Sequence, residues 1–336
     1  MMELLVITIA MALAFDFLNG FHDSANSIST IVATRVLTPG QAVFMAAVGN
    51  LIGPLFFGTA VAATMGKGII DADSIQSILS PEGFIILILS SLSGAILWNL
   101  ITWYFGIPVS SSHALVGGLM GAAMAAVGSG VLVMDGISKV LAFIVISPLL
   151  GFLASIAMSL LVMRAFRSSA PAKINVWFKK LQLVSAFFYS VTHGTNDAQK
   201  TMGIITILLV ASGYLSDFTV PIWVILSCQL AICLGTLLGG WRIVKTMAHK
   251  ITRLRPYQGF CAETAGGGVL VLMAHYGIPV STTHAIAGSI MGVGSMQNPK
   301  AVRWGVSRNI IVAWVITIPF SAAAAWAIYL LLDVVL

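Results

Sequence analysis

Long apolar stretches, separated by short polar intervals, fill almost the whole of this chain. They lie near residues 4–34, 41–65, 83–105, 109–130, 137–163, 181–213, 220–241, 259–276, 279–295 and 309–332. Stretches of this length are typical of membrane-spanning helices, and no sustained alternation of period two indicates strands. The pattern therefore predicts an all-α polytopic membrane protein.

The composition agrees with this prediction and excludes a soluble domain. Of the 336 residues, 58% are hydrophobic and only 8% are charged, and the mean hydropathy is +1.00. The net charge of +6 does not indicate nucleic-acid binding, because the basic residues are confined to a few short loops. The first apolar run has no basic region ahead of it and contains Asp16, so we expect a retained membrane segment rather than a cleaved signal peptide.

Two short motifs each occur twice. From Gly106–Gly121 to Gly277–Gly292, at an offset of 171 residues, ten of sixteen positions are identical. A weaker pair aligns Asn19–Asn26 with His193–Lys200, at an offset of 174 residues. Because the two motifs recur in the same order at nearly the same spacing, we interpret the chain as an internal duplication.

The charges of the loops predict their side of the membrane. The intervals 164–180 and 242–255 each contain five Lys or Arg and no acid, so both should be cytoplasmic. The interval 67–82 has one Lys and three acids and should lie outside. The path that satisfies these placements has both termini outside.

This path divides the chain into a first transmembrane repeat, 1–163, a basic cytoplasmic linker, 164–180, and a second transmembrane repeat, 181–336. The repeats then have inverted topology, with broken or re-entrant helices that meet at a midplane site, as in many secondary transporters. Two alternatives remain for 83–130, which either forms a re-entrant hairpin or crosses the membrane fully.

Each copy of the stronger motif places three hydroxyl residues where a helix should begin. Pro108 and Pro279 can each open a helix, and the first turn leaves unpaired backbone N–H groups at the positive end of the helix dipole. Hydroxyl groups added there provide a site for a tetrahedral oxyanion. The predicted anion-binding residues are Ser110, Ser111, Ser112, Ser281, Thr282 and Thr283. His113 and His284, which follow them, should shape the helix starts.

Asp23 and Asp197 occupy equivalent positions in the weaker motif. An ionisable residue at membrane depth costs about 2.5–3.5 kcal/mol on insertion, so a duplicated one indicates function more strongly than a structural contact between helices. Each lies in a polar patch that should weaken a continuous helix. In a helix, Asn19, Asp23 and Asn26 would share one face. Carboxylate and amide oxygens suit Na⁺, which we place at Asp23, Asn26 and Asp197, or a proton.

The two copies differ at two positions of this motif. Lys200 stands opposite Asn26, and Asn196 stands opposite His22. These four residues, with Asp23 and Asp197, are the predicted residues for cation or proton coupling. A fixed ammonium beside Asp197 can replace a bound cation, so the second half is predicted to have one cation site fewer or to be proton-coupled. His22 is a candidate proton carrier; the alternative is a neutral histidine that hydrogen-bonds a carbonyl.

Asn19 and Glu263 are candidate accessory residues. Glu263 has Leu92 opposite it in the first repeat, and glycines follow it along the chain. One interpretation places it beside a pathway between closely packed helices. The other extends its side chain towards Arg255 at the membrane surface.

These residues make the chain resemble the inorganic phosphate transporter (PiT) family, and in particular bacterial phosphate permeases. The family signature, a Gly-x-Asn-Asp-x-x-Asn pattern in each half, corresponds here to Gly20–Asn26 and Gly194–Lys200, and the Pro-Val-Ser segments are similar to its second repeated motif. The resemblance spans nearly the whole chain. It implies phosphate uptake driven by a cation gradient. The hydroxyl triplets would contact phosphate, and the signature aspartates would bind the coupling cation or proton. The variants His22 and Lys200 resemble permeases thought to be proton-coupled, some of which carry metal–phosphate complexes.

The leading hypothesis is a secondary transporter in the cell membrane that couples phosphate to H⁺ or Na⁺. A sulfate or other oxyanion permease of the same fold is the first alternative, and an anion channel is a weaker one. An intramembrane enzyme is disfavoured because no nucleophile–base–orienter set is evident. No cofactor is predicted, since a Gly-rich loop before a Lys-Ser/Thr pair is missing. The predicted partners are phosphate and lipid, not nucleic acid; a homo-oligomer is left open.

Overall fold

The computed structural model describes residues 1–53 and 59–335, and within these ranges it forms thirteen α-helices and no β-strand beyond one isolated bridge. The prediction of an all-α protein is confirmed. The predicted apolar stretch 41–65 lies partly outside the described residues. The helices of the first half are α1 Met2–Ala33, α2 Pro39–Ile52, α3 Ala60–Lys67, α4 Ala72–Ile78, α5 Pro81–Phe105, α6 Ser111–Ala126 and α7 Met134–Ala165. Those of the second half are α8 Pro171–Ala211, α9 Ile222–Leu238, α10 Trp241–His249, α11 Pro256–His275, α12 Thr282–Gln297 and α13 Trp304–Val335.

Several of these helices are suited to cross a membrane. Among the described residues, α1, α5, α7 and α13 are long and apolar enough to do so, and α9 with α10 forms a fifth candidate span that bends by 69° between its two parts. Helix α6 has 16 residues, which gives a length of about 24 Å, less than the hydrocarbon core of a bilayer. The chain is thus a multi-pass membrane protein that mixes long, short and broken helices.

The elements of the two halves correspond closely. Helices α6 and α12 begin at positions 171 residues apart, and each is preceded by a glycine, Gly106 or Gly277, with φ +64°. This left-handed conformation strongly favours glycine and reverses the chain after α5 and after α11. Pro148 inside α7 and Pro319 inside α13 keep the same offset. The duplication seen in the sequence is therefore present in the helices and in the turns between them.

The two halves are interlocked, because α6 packs against α13 and α12 packs against α7. A Cβ atom added to Gly121 would lie 2.0 Å from the carbonyl oxygen of Ala322, and one added to Gly288 would lie 2.1 Å from that of Pro148. Such distances are far inside contact range, so only glycine permits these helix approaches. Each hydroxyl-bearing helix is consequently supported by the last helix of the other half.

Acidic and basic loops lie at opposite ends of the molecule. At the acidic end, the N-terminal ammonium lies 2.8 Å from a carboxylate oxygen of Glu82, and Ile70 bridges Leu132. At the basic end, the Arg303 N–H donates to the Ile251 carbonyl at 2.9 Å. This segregation brings together the loops to which the sequence assigned the same side of the membrane.

One expectation from the sequence is wrong in detail. Helices α1 and α8 run without interruption through Asp23 and Asp197, because the polar side chains there bond to other helices and leave the backbone ladder intact. Within the interval 164–180, α7 ends at Ala165 and α8 begins at Pro171. The division of the chain into two repeats and a linker stays a prediction.

Candidate functional site

The first hydroxyl of each triplet caps a helix. Ser110 and Ser281 have extended backbones just ahead of α6 and α12, and their Oγ atoms accept from the N–H groups of His113 and His284, both at 3.2 Å. Serine is favoured at this position because its oxygen satisfies an otherwise unpaired N–H. These two predicted anion-binding side chains are therefore already engaged in starting their helices.

The remaining hydroxyls of α12 contact both signature aspartates. Thr282 Oγ1 donates to Asp197 Oδ2 at 3.1 Å, and Thr283 Oγ1 donates to Asp23 Oδ2 at 3.3 Å. Asn26 Nδ2 in turn donates to Thr283 Oγ1 at 2.9 Å. The start of α12 thus lies between α1 and α8 and joins the two copies of the weaker motif.

Lys200 connects the remaining motif, the hydroxyls at the start of α6, to the same group of residues. Its ammonium donates to Asp197 Oδ1 at 2.5 Å, to Ser112 Oγ at the start of α6, and to the Val280 carbonyl at 3.3 Å. A buried charge is tolerated only with such partners. We call the resulting group the aspartate–hydroxyl cluster; its members are Asp23, Asn26, Ser111, Ser112, Asp197, Lys200, Thr282 and Thr283.

Each aspartate is also paired with a histidine. His22 Nδ1 lies 2.7 Å from Asp23 Oδ1, and its Nε2 lies 3.2 Å from Thr102 Oγ1. His193 Nε2 lies 3.1 Å from Asp197 Oδ2, and its Nδ1 lies 3.2 Å from Asn50 Oδ1. Both rings are therefore held from two sides.

Three of these contacting residues were not predicted as site residues. The signal for His193 was available, because it lies one helical turn before Asp197. Thr102 and Asn50 are single polar residues within apolar helices, and only the tertiary packing shows which motif they reach.

Ser111 differs from its neighbours in the cluster. It is 1% exposed, and its hydroxyl has no hydrogen-bond partner among the described residues. At the matching position of the other half, the Thr282 hydroxyl is bonded to Asp197. Among the described residues, the Ser111 hydroxyl is therefore left with its hydrogen-bonding capacity unused.

Other predicted residues lie apart from these contacts. Asn196 Nδ2 donates to the Thr192 carbonyl of its own helix at 2.9 Å, and Asn19 is buried in α1. Glu263 accepts from Gln182 Nε2 at 3.0 Å and from Ser185 Oγ at 2.5 Å. It is fully buried, so the interpretation that extends it towards Arg255 is wrong.

His113 and His284 meet each other behind the hydroxyls. Their ring centroids are 4.8 Å apart, in an edge-to-face arrangement, and His284 stacks on Trp314 of α13 at 3.9 Å. Trp314 Nε1 donates to the Pro108 carbonyl at 3.0 Å. These rings pack the two helix starts against each other, in the manner expected of residues that shape the site.

Three side chains are close enough to share a metal ion. Asp23, His193 and Asp197 each offer one ligand atom, and these atoms all lie within 4.8 Å of one another. The predicted Na⁺ set had Asn26 in place of His193. An imidazole nitrogen suits a transition metal better than Na⁺, which prefers oxygen. The Lys200 ammonium on Asp197 competes with any such cation.

The aspartate–hydroxyl cluster is buried within the protein. Asp23 is 3% exposed, and Asp197 and Lys200 are each 1% exposed. A ligand can reach these groups only after helices move apart. The arrangement presents hydroxyl donors, helix N-termini and an ammonium to an anion, and carboxylates to a cation.

Comparisons with known proteins give a consistent result. The model of the phosphate transporter family matches residues 19–325. A probable low-affinity inorganic phosphate transporter of Rhizobium meliloti (strain 1021) is 54% identical, over 99% of this chain and 97% of that protein. One of the same description from Bacillus subtilis (strain 168) is 43% identical, over 99% of each. A solved sodium-dependent phosphate transporter superposes with a TM-score of 0.91 at 26% identity, covering 99% of this chain and 100% of that one.

Proposed function

The chain belongs to the phosphate transporter family, a family of transporters and not of enzymes, and from this premise we propose that it carries inorganic phosphate across the cell membrane by symport with a cation. One observation carries the proposal: both hydroxyl triplets and both signature aspartates meet in one buried cluster, through Thr282 on Asp197, Thr283 on Asp23 and Lys200 on Ser112. A duplicated site of this kind suits transport by alternating access.

We propose that phosphate binds between the N-termini of α6 and α12. Its oxygens would accept from the free hydroxyl of Ser111, from Ser112, and from the unpaired backbone N–H groups of the two first turns. The Lys200 ammonium, already at Ser112, would add a charge-assisted bond. Ser110 and Ser281 would contribute by holding the helix starts rather than by touching phosphate.

In this proposal the coupling cation binds at Asp23, in the part of the cluster that we call the Asp23 half. Lys200 neutralises Asp197 permanently, whereas the only basic group on Asp23 among the described residues is His22. A proton shared by His22 and Asp23 is the favoured cargo, because His22 Nδ1 and Asp23 Oδ1 lie 2.7 Å apart and can hold one between them. Na⁺ held by Asp23 and Asn26 is the alternative, supported by the likeness to a sodium-dependent transporter.

Phosphate is preferred over sulfate in this mechanism. Hydrogen phosphate carries a proton donor and sulfate does not, so a carboxylate of the cluster that accepts this bond would reject sulfate strongly. Competition in proteoliposomes tests the preference: excess sulfate should leave phosphate uptake unchanged. Strong inhibition by sulfate would favour the oxyanion-permease alternative.

A metal–phosphate complex is a second candidate cargo. The ligand atoms of Asp23, His193 and Asp197 are close enough together to hold a divalent ion that arrives with phosphate. Uptake measured after chelation of divalent ions decides between the two. Unchanged phosphate uptake favours free phosphate, and a loss that is restored by added metal favours the complex.

The central experiment is radiolabelled phosphate uptake into proteoliposomes with Na⁺ and pH gradients imposed separately. We expect saturable uptake that follows the pH gradient and persists without Na⁺. Uptake driven by Na⁺ alone would assign the Asp23 half to sodium. Uptake that does not saturate, and ignores both gradients, would indicate a channel and overturn the symport proposal.

We also propose that the basic end faces the cytoplasm, that both termini face outside, and that the two repeats have opposite orientations. The segregation of charged loops supports this orientation. Cysteines introduced at Ser169, in the basic loop after α7, and at Ser74, in α4 at the acidic end, test it. An impermeant thiol reagent added outside intact cells should label the second and spare the first, and the reverse would overturn it.

A further inference from the structure

A cavity of about 410 Å³ opens at the basic end, and it shares no residue with the aspartate–hydroxyl cluster. It lies between the loop that leads into α11 and the loop that leads into α13. The polar residues that line it are His249, Thr252, Arg253, Arg255, Gln258 and Arg303. Three arginines and a histidine therefore surround one concave space.

No acid balances these arginines. The intervals 242–255 and 298–308 contain no Asp or Glu, and none of the ion pairs among the described residues involves Arg253, Arg255 or Arg303. All three are exposed at the surface. Each guanidinium carries five donors in a planar fork, so the cavity offers many donors and a concentrated positive charge.

The frame beneath the arginines is fixed. The Arg303 N–H donates to the Ile251 carbonyl at 2.9 Å, and Thr252 Oγ1 donates to the Ala301 carbonyl at 3.2 Å. Gln258 is 2% exposed; it accepts from the Arg255 N–H at 2.9 Å. Bonds of this kind hold the two loops at a set separation, which reduces the cost of ordering them around a ligand.

We propose that this cavity binds a ligand that carries a phosphate group. Arginine recognises phosphate oxygens in pairs of parallel hydrogen bonds, and the start of α11 at Pro256 adds the positive end of a helix dipole. The volume is that of a small-molecule site, about 300–1,000 Å³, and exceeds what a single oxyanion needs. A phospholipid head group and a soluble diphosphate share this chemistry.

A ligand in this cavity would contact two elements of the second half that lead to the aspartate–hydroxyl cluster. Helix α11 leads to the turn that carries Ser281–Thr283, and α13 supports the opposite hydroxyl helix, α6. A phosphate group bound to Arg255 and Arg303 would tie the starts of α11 and α13 together. The cavity is thus placed to hold the protein in one conformation in response to an anionic compound on this side.

The test compares two triple variants of the full-length protein. One carries Arg253→Gln, Arg255→Gln and Arg303→Gln. The matched control carries Arg167→Gln, Lys179→Gln and Lys180→Gln, which removes three exposed positive charges outside the cavity. Pyrophosphate is titrated into each protein in neutral detergent, and the unfolding midpoint is measured in nanodiscs of phosphatidylcholine with and without added phosphatidylglycerol.

The cavity variant should weaken binding by about tenfold or more, and the control by less than about twofold. Pyrophosphate binding in detergent that the cavity variant loses would assign a soluble ligand. A midpoint raised by phosphatidylglycerol, and raised less in the cavity variant, would assign a lipid head group. Equal losses in both variants would show a general effect of surface charge and overturn the proposal, as would no response to either probe.

Single substitutions keep the proposal testable if the triple variant misfolds. Arg303→Lys keeps the charge but removes the planar fork, and it should weaken binding less than Arg303→Gln does. The unliganded midpoints of both proteins should lie close to that of the unmodified chain, because the Arg303 side chain is exposed and its guanidinium donates only a long hydrogen bond, 3.5 Å, to the His249 carbonyl. Equal binding by Arg303→Gln and the unmodified chain would exclude Arg303 from the site.

Discussion

The Asp23 half and the Asp197 half of the aspartate–hydroxyl cluster use the same residue types but balance charge differently. Asp197 lies 2.5 Å from the Lys200 ammonium and 3.1 Å from the His193 imidazole. Asp23 lies 2.7 Å from the His22 imidazole and accepts from Thr283, which in turn accepts from the Asn26 amide. One carboxylate is thus compensated by a fixed part of the chain. The other can be compensated by a group that arrives and leaves.

Under the proposed mechanism, this difference would let a duplicated site change its stoichiometry with one residue. Lys200, at the position of Asn26 in the other repeat, would put a covalently attached cation where the first half binds a mobile one. If the ammonium stays with Asp197 throughout the cycle, phosphate is accompanied by one cation fewer than in a transporter with two open carboxylates. The net charge moved per phosphate then differs by one elementary charge.

The largest effect is expected at the open carboxylate. Asp23→Asn removes the charge that the coupling cation must balance, so coupled phosphate uptake should fall by about 100-fold. Asp135→Asn, which changes an exposed acid at the acidic end, is the matched control and should leave uptake unchanged. Uptake by Asp23→Asn with normal rate and ion dependence would remove Asp23 from the mechanism.

Lys200→Asn tests the comparison directly, because it makes the two halves alike. We expect uptake to fall by about 30-fold, since Asp197 loses its partner in a buried site. The remaining uptake should move one more cation per phosphate, which reversal potentials in proteoliposomes measure. An unchanged stoichiometry would show that the ammonium does not stand in for a cation.

The double variant Asp197→Asn with Lys200→Asn completes this test. It removes the buried ion pair as a unit, so it should be more stable than Lys200→Asn alone, by about 3 kcal/mol if the unpaired charge is the cause of the loss. Thermal unfolding in detergent gives this comparison. A double variant no more stable than the single one would place the defect elsewhere.

Ser111→Ala and Thr282→Val compare equivalent hydroxyls. The Ser111 hydroxyl has no partner among the residues that the structure describes, so its loss should act on phosphate alone and raise the KM for uptake by about tenfold. Thr282 holds Asp197, so its loss should change the ion dependence as well. Ser80→Ala is the control: it removes the exposed cap of α5, worth about 1 kcal/mol of stability, and should leave the KM unchanged. If all three variants change the KM and the ion dependence equally, these hydroxyls do not have separate roles.

The smallest effect on uptake is expected at the glycine contacts, which are alike in the two halves and lie outside the cluster. Gly121→Ala and Gly288→Ala both force a Cβ into a backbone carbonyl, so each should lower the free energy of unfolding by about 1–3 kcal/mol, measured by thermal unfolding in detergent. Gly268→Ala, where a Cβ meets nothing within 4 Å, should be neutral or slightly stabilising. Destabilisation at only one of the two contacts would show that the interlocked packing is not symmetrical.

Much of the site could be predicted from sequence because duplication marks it twice. Asp23 and Asp197 were found from their recurrence in apolar surroundings, and the structure joins both through Thr282 and Thr283. The bond from Lys200 to Ser112 had no such signal. It depends on how α6 enters from the far side of the interlocked halves, which no local pattern encodes.

Other differences follow from residue types that serve two purposes. Three consecutive hydroxyls appear equivalent in sequence, yet the first of each triplet caps its helix and the others face the aspartates. Glu263 could not be placed because a glutamate near a helix start can reach water or a buried partner, and the choice depends on Gln182 and Ser185 from another helix.

The exchange of partners between the halves also governs how the protein is made. Helix α6 is synthesised early, but α13, which supports it, is made only after all the other described helices. Helices α5 and α6 must therefore wait in the bilayer, without the glycine contact of α6 to α13, until α13 has been made. Assembly of the aspartate–hydroxyl cluster consequently comes late, and a chain released before Trp304 carries both motifs without the packing that brings them together.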